Sequence, residues 1–250
     1  MRKLSFILLV FVVLFSCSKD NSDIYTENPN GTGGSMARFV LVDNYLYVVD
    51  NTSLATYDVS NEASPVLKNK QDVGFGIETL FPFEGYLLIG STTGMFIYET
   101  DANGVPVQLS NYEHIETCDP VVAQGDYAYV TLRANRVCGG NISENNRLEI
   151  INIQNPTSPY MVNTIPMNNP KGLAVDNNLL FICVDNTGID VYDISQPTQP
   201  SLVANISGFT ANDVIAKNNH LLVVCADGLR QFDYTDVNNI ANLSYFAVNF

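Results

Sequence analysis

The sequence predicts an all-β fold, built from a unit of about 40 residues that occurs five times. In the clearest copy, Leu179–Val203, two apolar strands flank a polar turn, and an Asp-Ile-Ser phrase leads into a Pro-rich corner. One position near the end of each unit recurs at spacings of 41, 53, 41 and 40 residues: Asp58, Glu99, Asn152, Asp193 and Asp233. No segment has the sustained 3.6-residue apolar period of a helix. Four short antiparallel strands per repeated unit are typical of a β-propeller blade, and the sequence predicts five such blades.

Each unit shows the same order of turns and strands. A polar pair such as Asp43-Asn44 or Glu84-Gly85 follows the first apolar run, and these residue types tolerate the positive φ of a tight hairpin. An alternating strand such as Ile189–Ile194 comes third. Prolines mark the corner before the fourth strand, because Pro cannot donate to a β ladder. The third unit has one insertion, Ala134–Asn146, which accounts for its longer spacing.

The N-terminus has the layout of a secretory signal. Two cations precede an apolar run that ends by Ser16, which is too short to span a bilayer as a mature helix. The segment Leu14–Cys17 resembles the lipobox of bacterial lipoproteins, which implies acylation of Cys17 and stable membrane anchoring. An ordinary signal peptide with a chance cysteine is the alternative. The polar, Asn- and Gly-rich residues that follow are expected to form a flexible tether.

These features divide the chain into a signal peptide (1–16), a lipidated tether (17–35) and a single propeller domain (36–250). The five predicted blades cover residues 36–75, 76–117, 118–169, 170–212 and 213–250. The pair Lys19-Asp20 resembles the export signals of surface lipoproteins, so the expected location is the bacterial outer membrane, facing either the periplasm or the cell surface.

The repeat itself resembles a known family. LYVVDNTSLATYDVSNEASPVL, LEIINIQNPTSPYMV and FICVDNTGIDVYDISQPTQPSLV are similar to the LVIVD repeat of bacterial and archaeal cell-surface proteins. The second unit departs from it with Glu99-Thr100-Asp101 in place of the Asp-Ile-Ser phrase, and the fifth has Tyr234-Thr235-Asp236 and no corner proline. The resemblance implies an extracytoplasmic β-propeller, lipid-anchored or secreted, and it transfers no catalytic residues.

Four cysteines follow Cys17, in an expected oxidising compartment. Cys118 precedes the first strand of the third blade and Cys138 lies in the insertion after its second strand, so both fall at one end of the blade. A Cys118–Cys138 disulfide is therefore expected, worth on the order of 3 kcal/mol, with two free thiols as the alternative. Cys183 and Cys225 occupy equivalent strand positions, where buried apolar roles are favoured over a bridge.

One end of the ring gathers the starts of the innermost strands and the ends of the second strands. Loops from every blade converge there on the channel mouth, where propellers commonly bind ligands. We expect a ligand or partner face there, although the same charges also suit a solvated rim. The candidate residues are Arg38, Asp50, Glu78, Asp119, Arg133, Arg136, Lys171, Asp185, Asp213 and Asp227.

Catalytic and metal-binding motifs are lacking in the sequence. The two histidines, His114 and His220, lie in different blades, and no His or Cys pair has the spacing of a metal site. No catalytic residue, metal or cofactor is therefore expected. The formal net charge of −14 disfavours nucleic acid as a partner.

The favoured function is a non-enzymatic binding or assembly platform for a protein or glycan partner, which reaches the membrane only through its lipid anchor. The first alternative is an envelope hydrolase or lyase with carboxylates at the channel mouth. The second is a purely structural surface repeat.

Overall fold

A computed structural model describes residues 33–113, 120–133 and 146–248. These residues form β-strands and turns, with no helix among them. Their twenty strands make five antiparallel sheets, each of four strands that are consecutive in the chain. The predicted all-β fold with five four-stranded blades is therefore confirmed.

Each sheet is called a blade and is numbered in chain order. The strands of blades 1 and 2 are β1 (Phe39–Val42), β2 (Tyr45–Val49), β3 (Ser53–Asp58), β4 (Val66–Asp72), β5 (Ile77–Phe83), β6 (Tyr86–Ser91), β7 (Gly94–Thr100) and β8 (Pro106–Glu113). Those of blade 3 are β9 (Val121–Gln124), β10 (Tyr127–Leu132), β11 (Arg147–Asn152) and β12 (Tyr160–Pro166). Those of blades 4 and 5 are β13 (Pro170–Asp176), β14 (Leu179–Val184), β15 (Gly188–Asp193), β16 (Ser201–Ile206), β17 (Ala211–Lys217), β18 (His220–Cys225), β19 (Gly228–Asp233) and β20 (Ala241–Ala247).

The first hairpin of each blade turns where the polar pairs predict it. Asp43, Glu84, Asn177 and Asn218 all have positive φ, between 47° and 53°. Gly125 takes this conformation in blade 3, with φ of 56°. Short polar side chains and Gly reach the left-handed region at little cost, which sets the two-residue loop and hence the register of the strands.

The recurring acidic position ends the third strand in a side-chain turn. The Oδ1 atoms of Asp58, Asn152, Asp193 and Asp233 each accept a hydrogen bond from the backbone N–H two residues further on, at 2.7–3.1 Å. This Asx turn directs the chain away from the sheet and towards the corner. The repeated carboxylate thus belongs to the construction of the blade.

Apolar clusters between neighbouring blades form the core. One joins blades 1 and 2 around Tyr47 and Leu87, and others join blades 2 and 3, blades 3 and 4, and blades 4 and 5. The last of these includes Cys183 and Cys225, which are buried free thiols, the role that the sequence favours. The blades therefore pack face to face, mainly through alternating residues of their strands.

The predicted tether differs from the structure at its C-terminal end. Ser35 is 1% exposed and its Oγ accepts the Leu173 N–H at 2.8 Å, so residues 33–35 belong to the propeller. The signal peptide, Cys17 and the rest of the tether lie outside the described residues, as do Cys118 and Cys138. No helix within the described ranges could cross a membrane.

Candidate functional site: the channel mouth

A cavity of about 280 Å³ opens where the inner strands of blades 1 to 4 begin. Basic, acidic and proline side chains line it, contributed by the four blades. The lining residues are Met36, Arg38, Glu78, Thr79, Pro120, Arg133, Pro170 and Lys171. The cavity therefore combines side chains that are up to 135 positions apart in the sequence (36 to 171).

Local irregularities of the inner strands position several of these side chains. The pairing of β5 with β6 shifts between Ile77 and Thr79, and Glu78 is the extra residue. The pairing of β13 with β14 shifts between Pro170 and Leu173, a step that contains Lys171. Bulges of this kind re-aim a side chain and often occur beside functional sites. They turn Glu78 and Lys171 towards the mouth.

Lys171 is held by two partners. Its ammonium donates to Asp185 Oδ1 at 2.8 Å and to Asn212 Oδ1 at 3.0 Å. The other carboxylate oxygen of Asp185 accepts from Asn169 Nδ2 at 2.8 Å. The hydrogen bond from Lys171 lowers the pKa of Asp185 below its usual value, and the charge of Arg133 acts in the same direction. Asp185 is therefore an anion at neutral pH and fixes the position of the lysine.

Two arginines complete the basic side of the cavity. Arg38 donates through Nη2 to the Ile77 carbonyl oxygen at 2.8 Å, which anchors its guanidinium between blades 1 and 2. The Nε atom of Arg133 is buried and has no hydrogen-bond partner among the described residues. A guanidinium presents several donors in a planar fork that matches a carboxylate or phosphate. The arrangement is thus suited chemically to holding an anionic group.

Asp213 lies beside this cavity but is covered. Its carboxylate accepts the Ser35 hydroxyl hydrogen at 3.2 Å, and Ser35 in turn binds the backbone of blade 4. Desolvation by burial raises the pKa of Asp213 to about 6. Added Cβ atoms at Gly34 and Gly172 would overlap the carboxylate, so both positions need the absence of a side chain.

The ten predicted face residues separate into four groups. Arg38, Glu78, Arg133 and Lys171 line the cavity, and Asp185 joins it through Lys171. Asp213 is half-buried, and its carboxylate accepts the Ser35 hydroxyl hydrogen. Asp119 and Arg136 lie outside the described residues.

The remaining two residues, Asp50 and Asp227, form hydrogen bonds and an ion pair within their own blades. Asp50 accepts the backbone N–H groups of Thr52 and Ser53 in a hairpin turn, and these bonds, led by that of Thr52, lower its pKa well below the usual range. Asp227 forms a bidentate pair with Arg230 at 2.6 and 2.9 Å, which lowers its pKa to about 2. Neither residue lines the mouth cavity.

Sequence reasoning missed the neutral members of the site. Pro120 and Pro170 each stand at or just before the start of an inner strand, and Asn212 is the extra residue where the pairing of β17 shifts. A proline at the start of an inner strand recurs in two units and could have identified these positions. Within the described ranges, no group of three or more His, Cys, Asp or Glu side chains is placed to hold a metal ion.

Comparison with protein families identifies the repeat. The model of the LVIVD repeat matches residues 33–73, 142–165 and 169–207. These segments fall in the first, third and fourth units, where the resemblance in the sequence is strongest. No curated protein matches the chain.

Solved structures show the same architecture at low sequence identity. A protein from Lactobacillus plantarum aligns with a TM-score of 0.60 and 12% identity, over 83% of this chain and 67% of that one. AztD from Citrobacter koseri aligns with a TM-score of 0.59 and 10% identity, over 82% of this chain and 60% of that one. The periplasmic gluconolactonase PpgL of Pseudomonas aeruginosa aligns with a TM-score of 0.60 and 13% identity, over 82% and 69%.

The chain thus spans 60% of the length of AztD, and identities this low establish the fold alone. The five sheets and these structural neighbours show that the chain is a β-propeller, and three of its segments match the LVIVD repeat.

Proposed function

We propose that this propeller is a non-enzymatic binding protein of a bacterial envelope, and that its channel mouth accepts an anionic group of a glycan or protein partner. The observation that carries the proposal is the convergence of Arg38, Arg133 and Lys171 on one cavity. The chain has 12 basic residues against 26 acidic ones. Three cationic side chains around one cavity therefore contrast with the negative net charge of the whole chain.

The balance of charge within the mouth supports an anionic ligand. Lys171 is paired with Asp185, so the described residues that line the cavity leave two guanidinium groups, of Arg38 and Arg133, against one further carboxylate, that of Glu78. A carboxylate or phosphate that replaces water around Arg38 and Arg133 gains charge-assisted hydrogen bonds, each worth about 1.5–3 kcal/mol.

Catalysis by a carboxylate pair receives less support from the geometry. A general acid needs a raised pKa and access to the substrate. Asp213 has the raised pKa, but Ser35 and Gly172 cover it, and it does not line the cavity. Asp185 is close to the cavity, but its pKa is lowered.

Binding of acidic oligosaccharides and acidic peptides to the purified protein tests the proposal. Arg133→Gln should weaken the binding of the preferred ligand by about 10- to 100-fold, the equivalent of one charged hydrogen bond. Lys70→Gln is the matched control, because Lys70 pairs with Asp50 on the exposed surface, away from the mouth. Equal affinity of the Arg133 variant and the wild type, or binding of neutral ligands alone, would contradict an anion site.

The location is a second part of the proposal. The lipobox-like segment supports acylation of Cys17 and an outer-membrane anchor. Cys17→Ala should move the protein from the membrane fraction to the soluble fraction on cell fractionation, because no acyl chain would hold it. Retention of the variant in the membrane pellet would rule out this anchor.

A further inference from the structure

Within the described ranges, one interface of the ring has no apolar cluster of its own. Among the described residues, buried clusters join blades 1 and 2, 2 and 3, 3 and 4, and 4 and 5. In the same part of the chain, no such cluster joins blade 5 to blade 1. We call this interface the seam. Blades of a propeller bury their faces against both neighbours, so the seam leaves two sheet faces incompletely covered.

Equivalent positions in two blades show the difference. Phe39 and Leu80 occupy the same place on their inner strands, yet Phe39 is 65% exposed and Leu80 is 1% exposed. Leu46 and Leu87 likewise match in register, and Leu46 is half-buried whereas Leu87 is buried. Phe39 and Leu46 face the seam. The face of blade 1 thus has the apolar residues of a packed interface without the packing.

The face of blade 5 across the seam shows the same deficit. Leu222 and Leu229 are half-buried, whereas the equivalent residues of blade 2, Leu88 and Met95, are each 1% exposed. Apolar side chains on both sides therefore retain contact with water. Burying them would stabilise the protein in proportion to the apolar area removed from water.

A cavity of about 520 Å³ opens along the blade 1 side of the seam. Its lining is almost entirely apolar and includes Phe39, Leu41, Leu46 and Val59. Gly33 and Gly34 also line it. Gly33, the first described residue, therefore lies at the edge of this cavity.

We propose that Asp23–Thr26 of this chain pack into the seam and cover the apolar face of blade 1. Ile24 and Tyr25 are the only large apolar residues between Cys17 and Gly33. Gly33 lies eight positions after Tyr25, and a chain of this length can span up to about 26 Å when extended. A blade of four strands spaced about 4.8 Å apart is narrower than this, so the segment reaches every part of the seam.

The covalent connection favours this occupant over a free partner. A short linker of this length holds the segment near the seam at an effective concentration in the millimolar range. Docking then costs only the ordering of a few residues and not the full entropy of association. The docked segment completes the ring and shortens the link between Cys17 and the propeller.

Thermal unfolding of the full chain, carrying Cys17→Ala throughout, tests the proposal. Replacing Ile24 and Tyr25 together with Ser should lower the Tm and increase the binding of a hydrophobic fluorescent dye. Replacing Asn28 and Asn30 with Ser in the same segment is the matched control and should change neither. Leu46→Ala should lower the Tm of the parent chain but have little further effect in the Ile24 and Tyr25 variant, because their contact is already lost.

Two results would overturn the proposal. The first is an unchanged Tm and unchanged dye binding in the Ile24 and Tyr25 variant. The second is a concentration-dependent dimer in size-exclusion chromatography that Phe39→Ser dissociates and the Ile24 and Tyr25 changes leave intact. That outcome would assign the seam to a second copy of the chain.

Discussion

Asp213 lies at the point where the N-terminal end of the described chain meets blades 4 and 5. Ser35 links it to Leu173, and the glycines at positions 34 and 172 leave space for its carboxylate. Burial raises the pKa of this group to about 6, above the 3.8 of an exposed aspartate. The folded state therefore holds a proton in a pH range where the unfolded chain has lost it.

The pH dependence of stability follows from this difference. Between about pH 4 and 6 the native state binds more protons than the unfolded state, so the free energy of unfolding falls as the pH rises. The loss is on the order of 2–3 kcal/mol above pH 6. Asp213→Asn removes the buried charge and should be more stable than the wild type at pH 8, with little difference at pH 4.

Chemical denaturation at the two pH values measures this effect. Glu62→Gln, at an exposed position, is the control for a simple change of net charge. If the Asp213 variant keeps the wild-type dependence on pH, another group is responsible for it.

At the scale of the element, each blade repeats two irregular features. The first is the Asx turn after the third strand, which in blade 2 is formed by Asp101, whose Oδ1 accepts the Asn103 N–H at 2.8 Å. The second is a register shift between the third and fourth strands, which places one extra residue on the fourth strand: Lys68, Leu109, Val162, Val203 and Leu243. A bulge at the same place in every blade increases the local twist of the outer pair of strands. The twist of each sheet lets neighbouring blades pack around a common axis.

The Asx turn of blade 4, formed by Asp193-Ile194-Ser195, leads to a prediction about stability. The Ser195 N–H lowers the pKa of Asp193 by donating to its carboxylate. Asp193→Ala leaves this N–H without its partner and should lower the Tm at pH 7, and the difference from the wild type should shrink as the pH falls through the lowered pKa of Asp193, because the carboxylate is then protonated. Asp193→Asn should retain most of the stability, because Asn152 performs the same role in blade 3. Thermal unfolding of both variants checks this, and an equal loss in both would show that the charge matters more than the acceptor.

At the scale of the whole molecule, the five blades differ in how much apolar packing they make with their neighbours. Counting the described residues, blades 2, 3 and 4 pack through apolar clusters on both faces, whereas blades 1 and 5 each have such a cluster on one face. In a repeat protein, stability is approximately the sum of the repeats and their interfaces. Opening a terminal blade therefore disrupts one interface, and opening a central blade disrupts two.

Hydrogen exchange should reveal this order. The amides of β2 and β18 should exchange faster than those of the equivalent strands β6, β10 and β14, because local opening of a blade at the seam costs less free energy. Mass spectrometry of peptic fragments makes the comparison, with the second strands of the central blades as internal controls. Equal protection in all five blades would mean that the seam is as firmly closed as the other interfaces.

The sequence determined the repeat, the number of blades and the position of the hairpins. These features depend on local patterns: alternating apolar residues, and turn residues such as Asn177 and Gly125 that accept positive φ. Arg38, Glu78, Arg133 and Lys171 could be placed at one end of the ring because strands of a blade alternate in direction.

Only the tertiary structure decided which of these groups share a cavity and what lies at the seam. The register shifts at Glu78 and Lys171, the cover over Asp213 and the exposure of Phe39 all depend on contacts between residues far apart in the chain. Because the repeat occurs five times, each blade has two apolar faces. Closure of the ring depends instead on the sum of the angles between neighbouring blades. That sum is a property of the packing of all five sheets, and no local pattern specifies it.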